Sequence, residues 1–321
     1  MNSYTGISLL SGNANLDLAE AIASDLNITL CKRSLIKFND GEISAQIQEN
    51  VRGKDLFIIQ SVCPPDINDA LMELLILIDA AKRASARRVT AVIPYYGYAR
   101  QDRKDRPRVP ITAKLVANLI TKAGVDRVLT MDLHCGQIQG FFDIPMDHLF
   151  AAPVLVDYIQ NNWSKPNTDD MVVVAPDTGS VKLARAYSKF ISGSLAIIDK
   201  RRERAGVAEA MNVIGNVEGK SAILMDDMID TGGTIAEASK ALIKCGVTEV
   251  YACCTHAVFS GTAAEKLASS DLKEILITDT IPNRSPHPKI KVVSVSGLLA
   301  DAITRIHDET SISTLFVPTR I

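Results

Sequence analysis

The sequence predicts an α/β protein of two similar domains, each a mainly parallel β-sheet flanked by helices. Three observations carry the prediction. Short apolar, β-branched runs alternate with amphipathic helical patterns along the whole chain. The runs are near-continuous in apolar character, as strands covered on both faces require. The pattern also resets after about residue 150, and 321 residues suffice for two domains with separate cores. The expected domains are therefore 1–150 and 151–321, the last segment packing back on the N-terminal domain.

In the first half, strands are expected at "ISLLSG" (7–12), "LFIIQSV" (56–62), "RVTAVIPYY" (88–96) and "RVLTMDLH" (127–134). A second series follows at "MVVVAP" (171–176), "SLAIID" (194–199), "SAILMDD" (221–227), "EVYACCTHAV" (249–258) and "EILITD" (274–279). Helical spacing of apolar residues marks 14–26, 66–85, 111–123, 179–191 and 233–245. The segment "AAPVLVDYIQNNWSKPNTDD" reads as a helix and a polar turn between the halves.

Charge is nearly balanced, with 35 basic against 37 acidic residues, so bulk charge argues against nonspecific nucleic-acid or membrane binding. Six cysteines occur without a C-x-x-C pair, mostly in or beside apolar runs, and read as buried free thiols of a reducing compartment. The N-terminus lacks the pattern of a signal peptide, and "ALMELLILIDAAKRA" is too short and too interrupted by Glu73 and Asp79 to span a bilayer. A soluble, cytoplasmic protein is expected.

Ligands of open α/β sheets gather at the carboxyl ends of strands. Five such ends are chemically loaded. The strand "SAILM" runs into Asp226 and Asp227, then "DTGGT", then a helix. Glycines admit a ligand close to the backbone, a helix N-terminus favours a phosphate, and Thr231 and Thr234 add hydroxyls. A capped strand-to-helix turn explains Asp230 or Thr231 equally well. Two adjacent acids at a buried strand end, however, call for a ligand. A sugar phosphate satisfies both halves, its hydroxyls on Asp226 and Asp227 and its phosphate on Asp230, Thr231, Gly232, Gly233 and Thr234.

"FNDGEISAQIQENVRG" (38–53) opens with a turn. "YYGYARQDRKDRPRVPITAKL" (95–115) places four arginines and one lysine between 100 and 108, either a solvated loop or a clamp for phosphates. In "TMDLHCGQIQGFFDIP" (130–145) a histidine follows an aspartate by two residues, a spacing that does not by itself select a metal ligand. "APDTGSVKLARAY" (175–187) repeats the acid-plus-turn logic at a helix start, and "IIDKRRERAG" (197–206) carries a basic cluster.

The Asp226–Thr234 stretch resembles the phosphoribosyl-diphosphate motif of the type I phosphoribosyltransferase fold. With the other four segments, the chain resembles the ribose-phosphate pyrophosphokinase (phosphoribosyl diphosphate synthase) family. The resemblance implies transfer of an intact diphosphoryl group from ATP to the anomeric hydroxyl of ribose 5-phosphate, with Mg²⁺ assisting and AMP leaving, in the service of nucleotide, histidine and tryptophan biosynthesis. It assigns Phe38, Asp40, Gly41 and Glu42 to ATP bound by a neighbouring subunit, and Arg100, Gln101, Lys104 and His134 to ATP directly. Lys200 and Arg202 become catalytic, Arg202 also contacting ribose 5-phosphate, while His134 and Asp177 become candidate Mg²⁺ ligands. It further implies a homo-oligomer, commonly a hexamer, with phosphate and ADP as effectors and Arg52 at the regulatory site. One position departs from the family pattern: Ser180 stands where D-x-G-G has its second glycine. The rivals are a phosphoribosyltransferase, which lacks ATP-clamping elements, and a non-catalytic synthase-associated subunit, which carries insertions in these loops.

Overall fold

The computed structural model describes residues 6–163, 170–201 and 210–316. They form two compact units, the first running to Phe150 and taking in Thr280–Pro282 and Val295–Phe316, the second comprising Ala151–Asp279 and Asn283–Ser294. In chain order the first unit holds β1 (Ile7–Ser11), α1 (Leu16–Asp25), β2 (Arg33–Lys37), β3 (Ile43–Ile47), β4 (Asp55–Ile59), α2 (Ile67–Arg83), β5 (Arg88–Ile93), α3 (Thr112–Ala123), β6 (Arg127–Met131) and β7 (Met146–Leu149). The second holds α4 (Ala152–Asn162), β8 (Met171–Ala175), α5 (Val181–Phe190), β9 (Ser194–Arg201), β10 (Ala210–Ile214), β11 (Ser221–Ile229), α6 (Gly233–Lys244), β12 (Glu249–Ala257), α7 (Ala263–Ala268), β13 (Leu272–Thr278) and β14 (Ile290–Val293). Helix α8 (Ser296–His307) then returns to the first unit.

The first sheet runs β1-β4-β5-β6-β7, parallel throughout. Leu10, Leu56, Ile58, Val89, Ala91 and Ile93 join α2 and α3 in one apolar core. The alternate residues Leu9, Phe57, Ile59 and Val92 are equally buried. Helices α1 and α8 pack together, so the strands read as continuous apolar runs for the expected reason. Asn15 caps α1 through its side chain, and left-handed Gly124 ends α3.

A buried polar cluster ties α8 down. Asp55, at the start of β4 and 0% exposed at its side chain, accepts from Arg88 Nε at 2.8 Å and lies 2.9 Å from His307 Nδ1. Arg88 also donates to the carbonyl of Ile306 at 2.8 Å. Each member therefore has a partner where an unpaired charge would be costly.

The second sheet runs β10-β9-β8-β11-β12-β13-β14, parallel except for the β9–β10 pair. From β8 the chain first lays β9 on one side and later β11 on the other. The strand order thus reverses between β8 and β11, where open α/β sheets hold ligands.

The strands differ from expectation mainly at their ends. β11 runs two residues past the expected end at Asp227, to Ile229, so the turn begins at Asp230. β9 extends through Arg201, which puts Lys200 on a strand opposite Met211. The β2–β3 hairpin and the short strands β7, β10 and β14 were not expected, nor were α7 and α8. The strands and α7 are too short or too polar to stand out, whereas α8 carries apolar residues at helical spacing and was simply missed. Of the six free cysteines, Cys245 is exposed because it caps the end of α6, and Cys135 is half-buried. Among the described residues, no helix is long and apolar enough to cross a membrane.

Candidate active site

At the strand-order reversal of the second unit, β8 stops at Ala175 while β11 continues for several residues. Ser221–Leu224 pair with both β8 and β12, but Asp226, Met228 and Ile229 pair with β12 alone. The continuation of β11 therefore borders the space beyond the end of β8. That is how two acids can sit in a strand without entering the core.

The loop after β8 closes onto this edge. Asp177 Oδ1 accepts from the amides of Gly179 at 2.9 Å and Ser180 at 3.1 Å. The Ser180 hydroxyl donates to Asp226 Oδ1 at 2.7 Å, and the same oxygen accepts from the amide of Asp227 at 3.0 Å. Burial pushes the Asp226 carboxyl up to about 7, and the charges of Asp227 and Asp177 add to the effect. The Ser180 donor opposes the shift.

Beyond β11, Asp230 and Thr231 lead to Gly232, which caps α6 with φ +70°. A β-carbon on Gly232 would stand 2.9 Å from Leu267 Cγ, so α7 packs directly against the turn. One on Gly233 would meet only Thr231 Oγ1, at 3.9 Å. Gly232 is thus demanded by the fold, whereas packing gives no reason for glycine at 233. Lys266 donates to the Thr231 carbonyl at 3.3 Å and steadies the turn, a contact between residues 35 positions apart that no motif announces. The helix start presents backbone amides to an anion.

In the first unit, Phe38, Asp40, Gly41 and Glu42 form the exposed tip of the β2–β3 hairpin. The tip is closed by Phe38 N to Glu42 O at 2.8 Å and by Glu42 N to Asp40 Oδ1 at 3.0 Å. Half of the Phe38 side chain is open to solvent, as a ring offered to a ligand or partner must be. Arg100, Gln101 and Lys104 are exposed on the irregular segment between β5 and α3. Thr112 Oγ1 anchors that segment through Gln101 Oε1 at 2.5 Å. His134 follows the adjacent strand β6 and is also exposed. Its neighbour Cys135 has its thiol pushed up chiefly by burial, with Asp102 adding and Arg103 opposing, so the basic segment reaches the β6 end.

The second unit thus brings Asp177, Asp226, Asp227 and the 230–234 turn together, and the first groups the 100–104 segment with the end of β6. Arg202 lies outside the described residues. Glu73, buried on α2, is a polar residue that sequence reasoning missed: it accepts from Asn13 and from Gln60 and fixes the ends of β1 and β4. An acid at a helix position facing strand ends was its only signal.

A family model described as the N-terminal domain of ribose phosphate pyrophosphokinase matches residues 7–124. A second, described as a phosphoribosyl synthetase-associated domain, matches 202–317. The chain is 53% identical to a ribose-phosphate pyrophosphokinase of Fusobacterium nucleatum over 98% of its own length and all of that protein. It is 55% identical to one of Caldanaerobacter subterraneus over the same shares. The crystal structure of phosphoribosylpyrophosphate synthetase from Mycobacterium smegmatis superposes with a TM-score of 0.89 at 42% identity, covering 95% of this chain and all of that one.

Proposed function

Because the chain belongs to the ribose-phosphate pyrophosphokinase family, we propose that it moves the intact β,γ-diphosphoryl group of ATP onto the anomeric hydroxyl of ribose 5-phosphate. The products are 5-phosphoribosyl 1-diphosphate and AMP. The observation that carries the site assignment is the pairing of an acid-lined strand edge, Asp226 and Asp227, with the open turn at Gly233.

In this reading the 5-phosphate rests on the backbone and hydroxyls of Asp230–Thr234. Asp226 and Asp227 accept from the ribose hydroxyls and aim the anomeric oxygen at the β-phosphorus. The new bond joins that oxygen to the β-phosphorus while the bond from the β-phosphorus to the oxygen it shares with the α-phosphate breaks, AMP leaving with that oxygen, and the proton of the anomeric hydroxyl passes to solvent. Such transfer needs in-line positioning and neutralised oxygens more than covalent help. The family resemblance assigns Lys200 and Arg202 to that charge. It assigns Arg100, Gln101, Lys104 and His134 to the phosphates of ATP, and Phe38, Asp40, Gly41 and Glu42 to the adenine end of ATP on a neighbouring subunit.

The donor set in the second unit suits Mg²⁺, since Asp177 offers oxygen and the raised Asp226 carboxyl marks a place that a cation would relieve. Among the described residues, no group of three or more His, Cys, Asp or Glu forms a ready cage. Mg²⁺ is ordinarily held by one or two carboxylates together with substrate phosphates. The family resemblance assigns Asp177 and His134 to the metal, which when bound would neutralise charge on the transferred group. The resemblance also supports a homohexamer responsive to phosphate and ADP.

Incubation with ATP, Mg²⁺ and ribose 5-phosphate should yield AMP and phosphoribosyl diphosphate in equal amounts. ATP hydrolysis without that product would overturn the reading.

A further inference from the structure

Ser180 is 7% exposed and occupies the N-cap position of α5. A serine there ordinarily turns its hydroxyl onto the first-turn amides of its own helix. Here it makes no such cap. Its hydroxyl instead crosses to β11 and donates to Asp226 Oδ1 at 2.7 Å, with Asp177 Oδ1 further off at 3.2 Å. A hydroxyl has one proton to give. Asp177 already accepts from two backbone amides, so the shorter contact to Asp226 is the one that depends on the side chain.

From this geometry we infer that Ser180 is a positioning residue for the sugar acceptor: its hydroxyl fixes the Asp226 carboxylate and joins the 177–180 loop to the acid-lined edge of β11. Two donors converge on Asp226 Oδ1, the Ser180 hydroxyl and the Asp227 amide. The carboxylate is thereby held from two sides. The same bond makes the loop and the strand edge one preformed surface. A glycine at this position has no atom that could do either. The chain therefore holds its acceptor site by a side-chain strut where the D-x-G-G pattern relies on backbone alone. The inference rests on the assignment of Asp226 to the ribose hydroxyls.

The test compares Ser180→Ala and Ser180→Thr with the unaltered enzyme, reading KM for ribose 5-phosphate, KM for ATP, kcat and melting temperature, with calorimetric titration of ribose 5-phosphate alongside. Loss of one hydrogen bond to a charged acceptor should raise the KM for ribose 5-phosphate roughly tenfold in Ser180→Ala. The KM for ATP and the melting temperature should stay close to the unaltered values. Ser180→Thr keeps the hydroxyl and should recover the KM to within about threefold. An unchanged ribose 5-phosphate KM in Ser180→Ala overturns the inference. So does a lower melting temperature with loss of active protein but no change in KM, which is a purely structural role. If the unaltered enzyme forms phosphoribosyl diphosphate while Asp226→Asn binds ribose 5-phosphate normally, the Asp226 assignment falls and Ser180 with it.

Discussion

Two adjacent glycines, alike in sequence, should fail in opposite ways when given a methyl group. Gly232 has φ +70°, and its added β-carbon would lie 2.9 Å from Leu267 Cγ, which is fully buried. The left-handed backbone costs an alanine about 1–2 kcal/mol, and forcing a carbon into a packed core costs about 1–3 kcal/mol more. Gly232→Ala should therefore destabilise the protein by roughly 2–5 kcal/mol, lowering the melting temperature by roughly 5–15 °C. Gly233 is the first residue of α6, and the nearest atom to its β-carbon is Thr231 Oγ1 at 3.9 Å. Gly233→Ala should hold stability to within about 0.5 kcal/mol, since alanine is the better helix former. A phosphate lying on the turn would nevertheless be displaced, and the KM for ribose 5-phosphate should rise by about tenfold or more. Urea denaturation and steady-state kinetics on both variants separate the effects. Equal melting temperatures, or an unaltered ribose 5-phosphate KM in Gly233→Ala, would refute the reasoning.

Asp226 carries a pH prediction with two signs. Its carboxyl in the fold, about 7, lies above its unfolded value near 4. The uncharged form therefore stabilises the fold fully below about pH 4, and that stabilisation is lost as pH rises through about 7. The melting temperature of the free protein should decline over that window, while kcat/KM for ribose 5-phosphate should climb as the carboxylate becomes able to accept. Asp226→Asn should flatten both profiles. Lys200→Ala should lower kcat by about 10²–10³ at unchanged melting temperature, if its charge supports the transfer as an oxyanion donor does. Near-normal turnover would remove it from the mechanism. Asp55→Ala leaves Arg88 partly buried without its carboxylate and should cost about 3–5 kcal/mol in chemical denaturation.

The layout of strands and helices was legible because burial on both faces writes itself as unbroken apolar runs such as "MVVVA". The hairpin at 33–47 was not, because its strands are half-exposed and lack that signature. The candidate site at Asp226–Thr234 was suggested by the sequence because acids at a strand end are expensive unless a ligand uses them. Its register could not: nothing in "SAILMDDMID" says that β8 stops first and leaves β11 to run on beside an open space. Ser180 was visible as a departure from a pattern. Its partner was not, since Asp226 lies 46 positions away and only the strand order makes them neighbours. Glu73 shows the same limit, meeting Asn13 across 60 positions.

The return of α8 fixes an order of events during synthesis. The ribosome delivers β1 and α1 first, yet the helix packed against α1 emerges only after all of β8–β14 has been made. Buried residues of α1 such as Leu18 and Ile22 thus belong to a helix whose neighbour α8 is made much later. The unit begun first is completed last, and a nascent chain halted before Ser296 presents a bare apolar stripe of the kind that chaperones hold.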